Sequence, residues 1–193
     1  MYKVTCDLIK KRQKFSKYLI EKVVVKQIGG GKANDCFNNA CEMIDRTRGI
    51  KITSGWIVGK YNKYKNSTEI VQHFWNVDKF GNHFDTTPLI GSDVEYVVDS
   101  DINSYGQENY DSVDSCVASS LLFKDGNFLA VDINENGNLI FRKIEILDTK
   151  NLFIKGTKET VIDEATVFGR QSISINEYMD FVISQDPLFK IYA

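Results

Sequence analysis

Apolar residues in the first fifty positions recur with the period of a helix. Residues 7–20 carry apolar side chains among lysines, which predicts an amphipathic helix. A short extended segment is predicted at 23–25, and three consecutive glycines at 29–31 then interrupt the chain. Asn34 and Asp35 are both favourable N-cap residues. The apolar residues that follow them at i, i+3, i+4 and i+7 are Phe37, Ala40, Cys41 and Ile44. This pattern predicts a second helix, of about 12 residues, with one apolar face.

From residue 52 onward the period is two, which is typical of strands. Strands are predicted at 52–61, 69–78, 83–87, 117–124, 128–133 and 139–147. Asp125-Gly126 and Asn136-Gly137 mark hairpin turns between the last three of these strands. The acidic, polar residues 99–115 predict a long loop or a poorly ordered insertion. A capping box that begins at Ser174 predicts a final helix over 174–186.

The order of these segments, helices first and strands afterwards, predicts an α+β fold. The chain has 193 residues, 42% of them hydrophobic, which suits one globular domain over 1–193. Within that domain, residues 27–88 carry the candidate chemistry, 117–147 add antiparallel strands and 174–186 add the C-terminal helix. A net charge of -2 argues against a protein that coats nucleic acid. No apolar run approaches the roughly 20 residues of a membrane span.

The N-terminus has no apolar stretch of the kind that marks a signal peptide, so we expect a cytoplasmic protein with reduced thiols. The four cysteines are Cys6, Cys36, Cys41 and Cys116. A buried cysteine ordinarily behaves as a small hydrophobic residue. Many lysines and asparagines with few prolines are also typical of an AT-rich genome, such as that of a phage or a low-GC bacterium.

Three sequence patterns partly match cofactor or metal sites, but each lacks a residue that such a site needs. Gly29-Gly30-Gly31-Lys32 lacks the Ser or Thr that follows the lysine of a phosphate-binding loop, which favours a flexible loop over a nucleotide site. Residues 132–137 match half of a calcium loop, but Lys143 takes the place of its bidentate glutamate. His73 and His83, the only two histidines, are a poor metal site even if Asp85 joins them. We therefore expect neither a metal nor a cofactor.

One cysteine is placed for nucleophilic chemistry. Cys36 follows the glycine-rich turn and lies in the first turn of the second predicted helix. The partial positive charge of a helix N-terminus favours thiolate over thiol, and the thiolate is the nucleophile. Cys41 lies on the apolar face and is expected to be inert.

The predicted hairpin places a histidine and an aspartate on one sheet face. If residues 79–81 form its turn, the numbers of facing residues add to 160, so His73 and Asp85 are diagonal neighbours. Asp85 can then accept a hydrogen bond from one ring nitrogen and leave the other for Cys36, which is the logic of a catalytic triad. His83 shares that face and is the alternative base, although Asp85 orients it less well.

These residues resemble the transglutaminase-like branch of the papain-like cysteine enzymes, which also includes arylamine acetyltransferases. The resemblance rests on Cys36 at a helix start, on His73-Phe74-Trp75 in a strand and on Asp85-Thr86-Thr87-Pro88 after a hairpin, within residues 27–88. The lead-in Asn34-Asp35 departs from the usual Gly-x or Trp before the cysteine. The resemblance implies a nucleophile helix packed on an antiparallel sheet.

The implied reaction is cysteine-dependent acyl transfer by a hydrolase, deamidase or transamidase on an amide, ester or thioester of a protein or small molecule. Cys36 would attack the carbonyl, His73 would act as base and then acid, and Asp85 would orient His73. The candidate oxyanion donors beside the Cys36 N–H are the side chains of Gln27 and Asn34. The candidate pocket walls are Trp56 and Trp75, although large aromatics in strands are more often core.

Two other functions fit the sequence. The first is a non-catalytic binding or inhibitory protein that uses the same fold to capture a protein or small-molecule partner, and the composition suggests that a phage encodes it. Its acidic 99–115 segment would contact a basic partner. The second is a small-molecule or nucleotide binder that uses the glycine loop.

Overall fold

A computed structural model describes residues 1–63, 66–88, 91, 93–102, 120–133, 136, 138–148, 151–152 and 161–163. Two helices and ten strands lie in this part of the chain. They are α1 (Lys3–Gln13), β1 (Glu21–Val23), β2 (Val25–Gln27), α2 (Cys36–Arg46), β3 (Lys51–Val58), β4 (Ser67–Val77), β5 (His83–Asp85), β6 (Glu95–Val98), β7 (Ser120–Lys124), β8 (Asn127–Ile133), β9 (Leu139–Ile144) and β10 (Val161–Asp163).

All of these strands belong to one sheet, in the order β1-β6-β3-β4-β7-β8-β9-β10. β5 also pairs with β4, and β2 pairs with β5. The β2–β5 pairing is parallel, and the other pairings within the described residues are antiparallel. The predicted α+β class is therefore confirmed, as a mostly antiparallel open sheet with few helices.

The predicted register of the β4–β5 hairpin is confirmed. Val77 pairs with His83 and Asn76 with Phe84, so the numbers of facing residues do add to 160. The Asp78 backbone N–H donates to the carbonyl of Asn82 at 3.0 Å, and Gly81 takes the positive φ of 84° that the turn requires.

The β7–β8 hairpin also follows its sequence signal. Lys124 pairs with Asn127, which leaves a loop of two residues, Asp125 and Gly126. Their φ angles of 49° and 78° are left-handed, as the favoured hairpin turn requires.

The prediction for the first helix is wrong at both ends, since α1 runs from Lys3 to Gln13 and not over 7–20. After Arg12 the chain turns, because the Arg12 carbonyl accepts from the backbone N–H of Phe15 at 3.0 Å. The Gln13 side chain then accepts from the backbone N–H of Ile20 at 2.8 Å. Phe15 and Leu19 are exposed, so they do not extend an apolar helix face.

A buried ion pair joins α1 to the sheet. Arg12 is fully buried and donates from Nε and Nη2 to both carboxylate oxygens of Asp99, at 2.6 and 2.9 Å. It also donates to Asp101 at 3.2 Å and to the carbonyl of Leu147 at 2.7 Å. Asp99 and Asp101, at the start of the predicted 99–115 loop, thus face a cation of their own chain. Residues 103–115 lie outside the described part.

The remaining differences concern short or distant strands. β6 and β10 have no counterpart among the predicted strands. The extended segment at 23–25 is divided between β1 and β2 at Val24, which is 89% exposed. Residues 117–119 and the helix predicted at 174–186 lie outside the described residues.

Neither helix of the described chain is long and apolar enough to cross a membrane.

One edge of β4 changes partner along its length, and this positions α2. β7 pairs with residues 67–71, and β5 pairs with residues 76 and 77. Helix α2 contacts β4 near the interval between them. Phe37 packs edge-on against Phe74 with ring centroids 5.2 Å apart, and Asn76 donates to the Ala40 carbonyl at 2.9 Å.

Candidate active site

Cys36 is the first residue of α2 and is half-buried. Asp35 is the N-cap residue, and its carboxylate accepts from the Asn38 side chain at 2.6 Å. Because the first N–H groups of a helix have no partner within the helix, the Cys36 N–H can serve a ligand. The partial positive charge of that helix end also favours an anion beside it.

His73, on β4, lies between Asp85 and Cys36. Its Nε2 donates to Asp85 Oδ2 at 2.6 Å, and both side chains are buried. Cys36 lies close enough to His73 to raise the pKa of its imidazole. Since Nε2 is used by Asp85, Nδ1 is the ring nitrogen that remains for the thiol. The structure therefore brings together Cys36, His73 and Asp85, the three residues that the sequence singled out.

The surroundings of His73 favour its charged form. Burial opposes protonation, but hydrogen bonds and electrostatic interactions with Asp85 and Cys36 outweigh it and raise the pKa of His73 from 6.5 to about 9. Burial likewise tends to raise the pKa of Asp85, yet the interactions with His73 and the Thr87 N–H leave that pKa below its ordinary value. An ionised Asp85 beside an imidazolium is thus the favoured state near neutral pH.

Asp85 accepts more hydrogen bonds than the one from His73. The Thr87 backbone N–H donates to Oδ1 at 2.8 Å, and the Tyr96 hydroxyl donates to Oδ2 at 2.8 Å. The Gln27 amide donates to the Tyr96 oxygen and, at 3.4 Å, to Asp85 Oδ2. Sequence reasoning missed Tyr96, because no predicted strand covered it.

These contacts change the expectation for Gln27. Its two amide N–H groups point to Tyr96 and Asp85, so neither is left for an oxyanion. Asn34, the other candidate donor, is exposed and has a left-handed φ of 58° two residues before Cys36. Within the described chain, no hydrogen bond of Asn34 to the three central residues is present.

Asn39, on α2, fixes the glycine loop to the helix and to the segment that follows β5. Its Oδ1 accepts from the Lys32 N–H at 2.8 Å, and its Nδ2 donates to the Lys32 carbonyl at 2.7 Å and to Thr87 Oγ1 at 3.2 Å. Gly31 donates to the Thr86 carbonyl at 2.9 Å, and a Cβ at Gly31 would collide with the Asn39 side chain. These hydrogen bonds hold the glycine loop in one position. Like Tyr96, Asn39 is a residue near the site that the sequence did not reveal.

The two tryptophans lie in different surroundings. Trp75 is buried beside His73, with nearly parallel rings whose centroids are 6.2 Å apart. Trp56 belongs to the core under α1, and its indole N–H donates to Asp99 Oδ2 at 2.9 Å. The prediction that Trp56 walls the pocket is therefore wrong, because strand alternation turns it away from the face of His73.

His83 has a different role from His73. The Trp75 indole N–H donates to His83 Nδ1 at 2.9 Å, so this nitrogen carries no proton. Burial lowers the pKa of His83.

Gly55 faces His73 across the β3–β4 ladder, and a Cβ there would collide with the Val97 carbonyl and the Trp75 ring.

No group of three His, Cys, Asp or Glu side chains that could hold a metal ion occurs among the described residues. Comparison of the chain with family models, curated proteins and solved structures gives no match to any of them. What the site does must therefore be argued from its geometry.

Proposed function

We propose that the protein is a cysteine-dependent acyl-transfer enzyme, in which Cys36 is the nucleophile, His73 the general base and acid, and Asp85 the orienting carboxylate. The observation that carries this proposal is the buried 2.6 Å bond from His73 Nε2 to Asp85, on a histidine whose pKa is raised by both Asp85 and Cys36. A helix that begins at the cysteine and contacts an antiparallel sheet supports a papain-like fold of the transglutaminase-like type.

The reaction follows from these positions. The Cys36 sulfur forms a bond to the carbonyl carbon of an amide, ester or thioester, and the oxyanion that results accepts from the Cys36 N–H. His73 gives its proton to the leaving amine, alcohol or thiol as the bond to the acyl carbon breaks. Water or a second amine then attacks the thioester, His73 accepts the proton of the attacking group, and the Cys36 thiolate leaves.

The first test is the selectivity of alkylation. We expect iodoacetamide at pH 7 to modify Cys36 at least about tenfold faster than Cys41, because in the proposed mechanism the imidazolium of His73 and the helix N-terminus make Cys36 the more nucleophilic sulfur. Cys41 lies five residues further along the same helix, so it is a matched internal control. Mass spectrometry of peptides gives both rates, and equal rates would contradict the proposal.

The second test separates the two histidines. With p-nitrophenyl acetate as acyl donor, we expect an acetyl group on Cys36, with release of p-nitrophenol slowed about 10²-fold or more in His73→Gln. His83→Gln is the matched control and should keep the wild-type rate, since His83 contacts Trp75 and not Cys36. Adding a labelled primary amine then distinguishes hydrolysis from transamidation. Rapid, selective alkylation of Cys36 without any acyl transfer would instead favour a binding protein that retains the site.

A further inference from the structure

The carboxylate of Asp85 has a second layer of donors that the three-residue mechanism does not use. Thr87 supplies a backbone N–H to Oδ1, whereas the Tyr96 hydroxyl donates to Oδ2, the oxygen that also accepts from His73. Tyr96 comes from β6, which is not a neighbour of β5 in the sheet. Its contact with Asp85 therefore depends on a long side chain that reaches across the face.

Gln27 determines the direction in which the Tyr96 hydroxyl points. Its Nε2 donates to the Tyr96 oxygen, so the hydroxyl hydrogen is the group left to donate to Asp85. The Tyr96 ring also lies edge-on to His73 and Trp75, with centroids 6.1 and 5.3 Å away. Ring packing and hydroxyl bonding are therefore separate contributions, which a Tyr-to-Phe change can divide.

We propose that Tyr96, oriented by Gln27, is a positioning residue that holds Asp85 ionised and correctly aimed at His73, so that the site is a chain of five side chains from Gln27 through Tyr96, Asp85 and His73 to Cys36. This inference rests on the proposed function for its catalytic consequence. A buried carboxylate with one fewer donor is harder to keep ionised, and its two oxygens are less well fixed.

The test is the pH profile of Cys36 alkylation in Tyr96→Phe, which keeps the ring and removes the hydroxyl. We expect the acid limb to move to higher pH, with alkylation below pH 7 slowed at least about threefold. Tyr61→Phe is the matched control, because it removes an exposed hydroxyl that bonds Asn66. Overlap of the Tyr96→Phe and wild-type profiles would overturn the inference.

A double-variant comparison shows whether Tyr96 acts through Asp85. In an Asp85→Ala background, Tyr96→Phe should not change the alkylation rate of Cys36 further, since its hydroxyl has lost the group it orients. An equal slowing in both backgrounds would mean that Tyr96 acts by another route, and would overturn the proposal. Gln27→Met should shift the acid limb in the same direction by a smaller amount, and no shift would remove Gln27 from the chain.

Nuclear magnetic resonance separates this inference from the proposed function. The chain has only two histidines, so His83→Gln assigns the ring signals of His73. Tyr96→Phe should move the Nε2–H signal of His73, whereas Tyr61→Phe should not. If Cys36 proves unreactive but this signal moves, the acyl-transfer proposal fails and the positioning role stands. If Cys36 is reactive and the signal is unchanged, the positioning role fails alone.

Discussion

Two buried aspartates have different kinds of partner: Asp99, directly after β6, pairs with Arg12 of α1, and Asp85, at the end of β5, pairs with His73 of β4. Asp99 accepts a bidentate pair from Arg12 and a bond from Trp56, and Asp85 accepts from His73, Tyr96 and Thr87. Each is almost wholly shielded from solvent. Their main partners differ in one property, which is whether the cation can lose its proton.

Whether the cationic partner can lose its proton decides whether the ion pair can take part in a proton transfer. A guanidinium stays protonated at any pH the fold survives, so the Arg12–Asp99 pair can only hold elements together. An imidazole gives up its proton near neutrality, and the pKa of His73 is raised to about 9 without being removed from the accessible range. In this chain Asp85 is therefore the candidate catalytic carboxylate, because its partner titrates and is influenced by Cys36, the proposed nucleophile.

The largest change in the free energy of unfolding is expected when the Arg12–Asp99 ion pair is broken. Arg12→Met leaves Asp99 buried without its cation, which should lower the free energy of unfolding by about 3–5 kcal/mol, as measured by urea titration. The double variant Arg12→Met with Asp99→Leu should recover much of this loss, because no buried charge remains. A loss below about 1 kcal/mol in the single variant would contradict the structural role.

The next largest effect is the pH dependence of the contribution that His73 makes to the free energy of unfolding. His73 has a pKa of about 9 in the folded chain and 6.5 as its ordinary value, so protonated His73 stabilises the fold. That contribution, about 3 kcal/mol, is complete below pH 6.5 and is lost as the pH rises through about 9. Urea titrations between pH 6 and 10 should show this loss in wild type but not in His73→Gln.

The two pairs should differ clearly in that experiment. The loss of unfolding free energy in Arg12→Met should stay constant between pH 6 and 10, because a guanidinium keeps its charge throughout that range. A deficit that changed with pH to the same extent as the His73 contribution would remove the distinction between the two aspartates.

A smaller effect is expected at Asn39, which bonds both Lys32 of the glycine loop and Thr87 after β5. Asn39→Ala should cost about 1–3 kcal/mol of unfolding free energy, because it removes three hydrogen bonds of a buried amide. Alkylation of Cys36 should also become slower, as the helix start loses its support. Asn38→Ala is the matched control, since Asn38 is exposed and bonds only Asp35 among its described contacts. Equal behaviour of the two variants would show that the tie is unimportant.

The parts of the fold and site that sequence predicted are those set by short-range rules. The turn at 79–81 determines which residues face each other on β4 and β5, and so places His73 beside Asp85. Glycine and N-cap preferences locate the start of α2 and hence Cys36. The Asp125-Gly126 dipeptide similarly defines the β7–β8 turn.

The parts that sequence did not predict depend on distant partners. Arg12 looks like one more cation among the lysines of α1, and its partner Asp99 lies 87 residues away. Tyr96 lies on β6, which enters the sheet between β1 and β3, far from its place in the chain. Trp75 shares the sheet face of His73 by strand alternation alone, but only the pairing of β3 with β4, in which Trp56 lies opposite Gln72, shows that Trp56 is on the other face.

The order of strands also has a consequence for how the protein folds. The β3–β4, β4–β5, β7–β8 and β8–β9 hairpins close short loops, whereas β1–β6 and β2–β5 join segments separated by more than fifty residues. Closing long loops costs more chain entropy, so local hairpins are expected to form first. Pulsed hydrogen exchange should show protection in β4 before β6, and the reverse order would contradict this. His73 and Asp85 would then meet early within one hairpin, while Tyr96 and Gln27 arrive late, so a newly made chain acquires its completed site only when the sheet does.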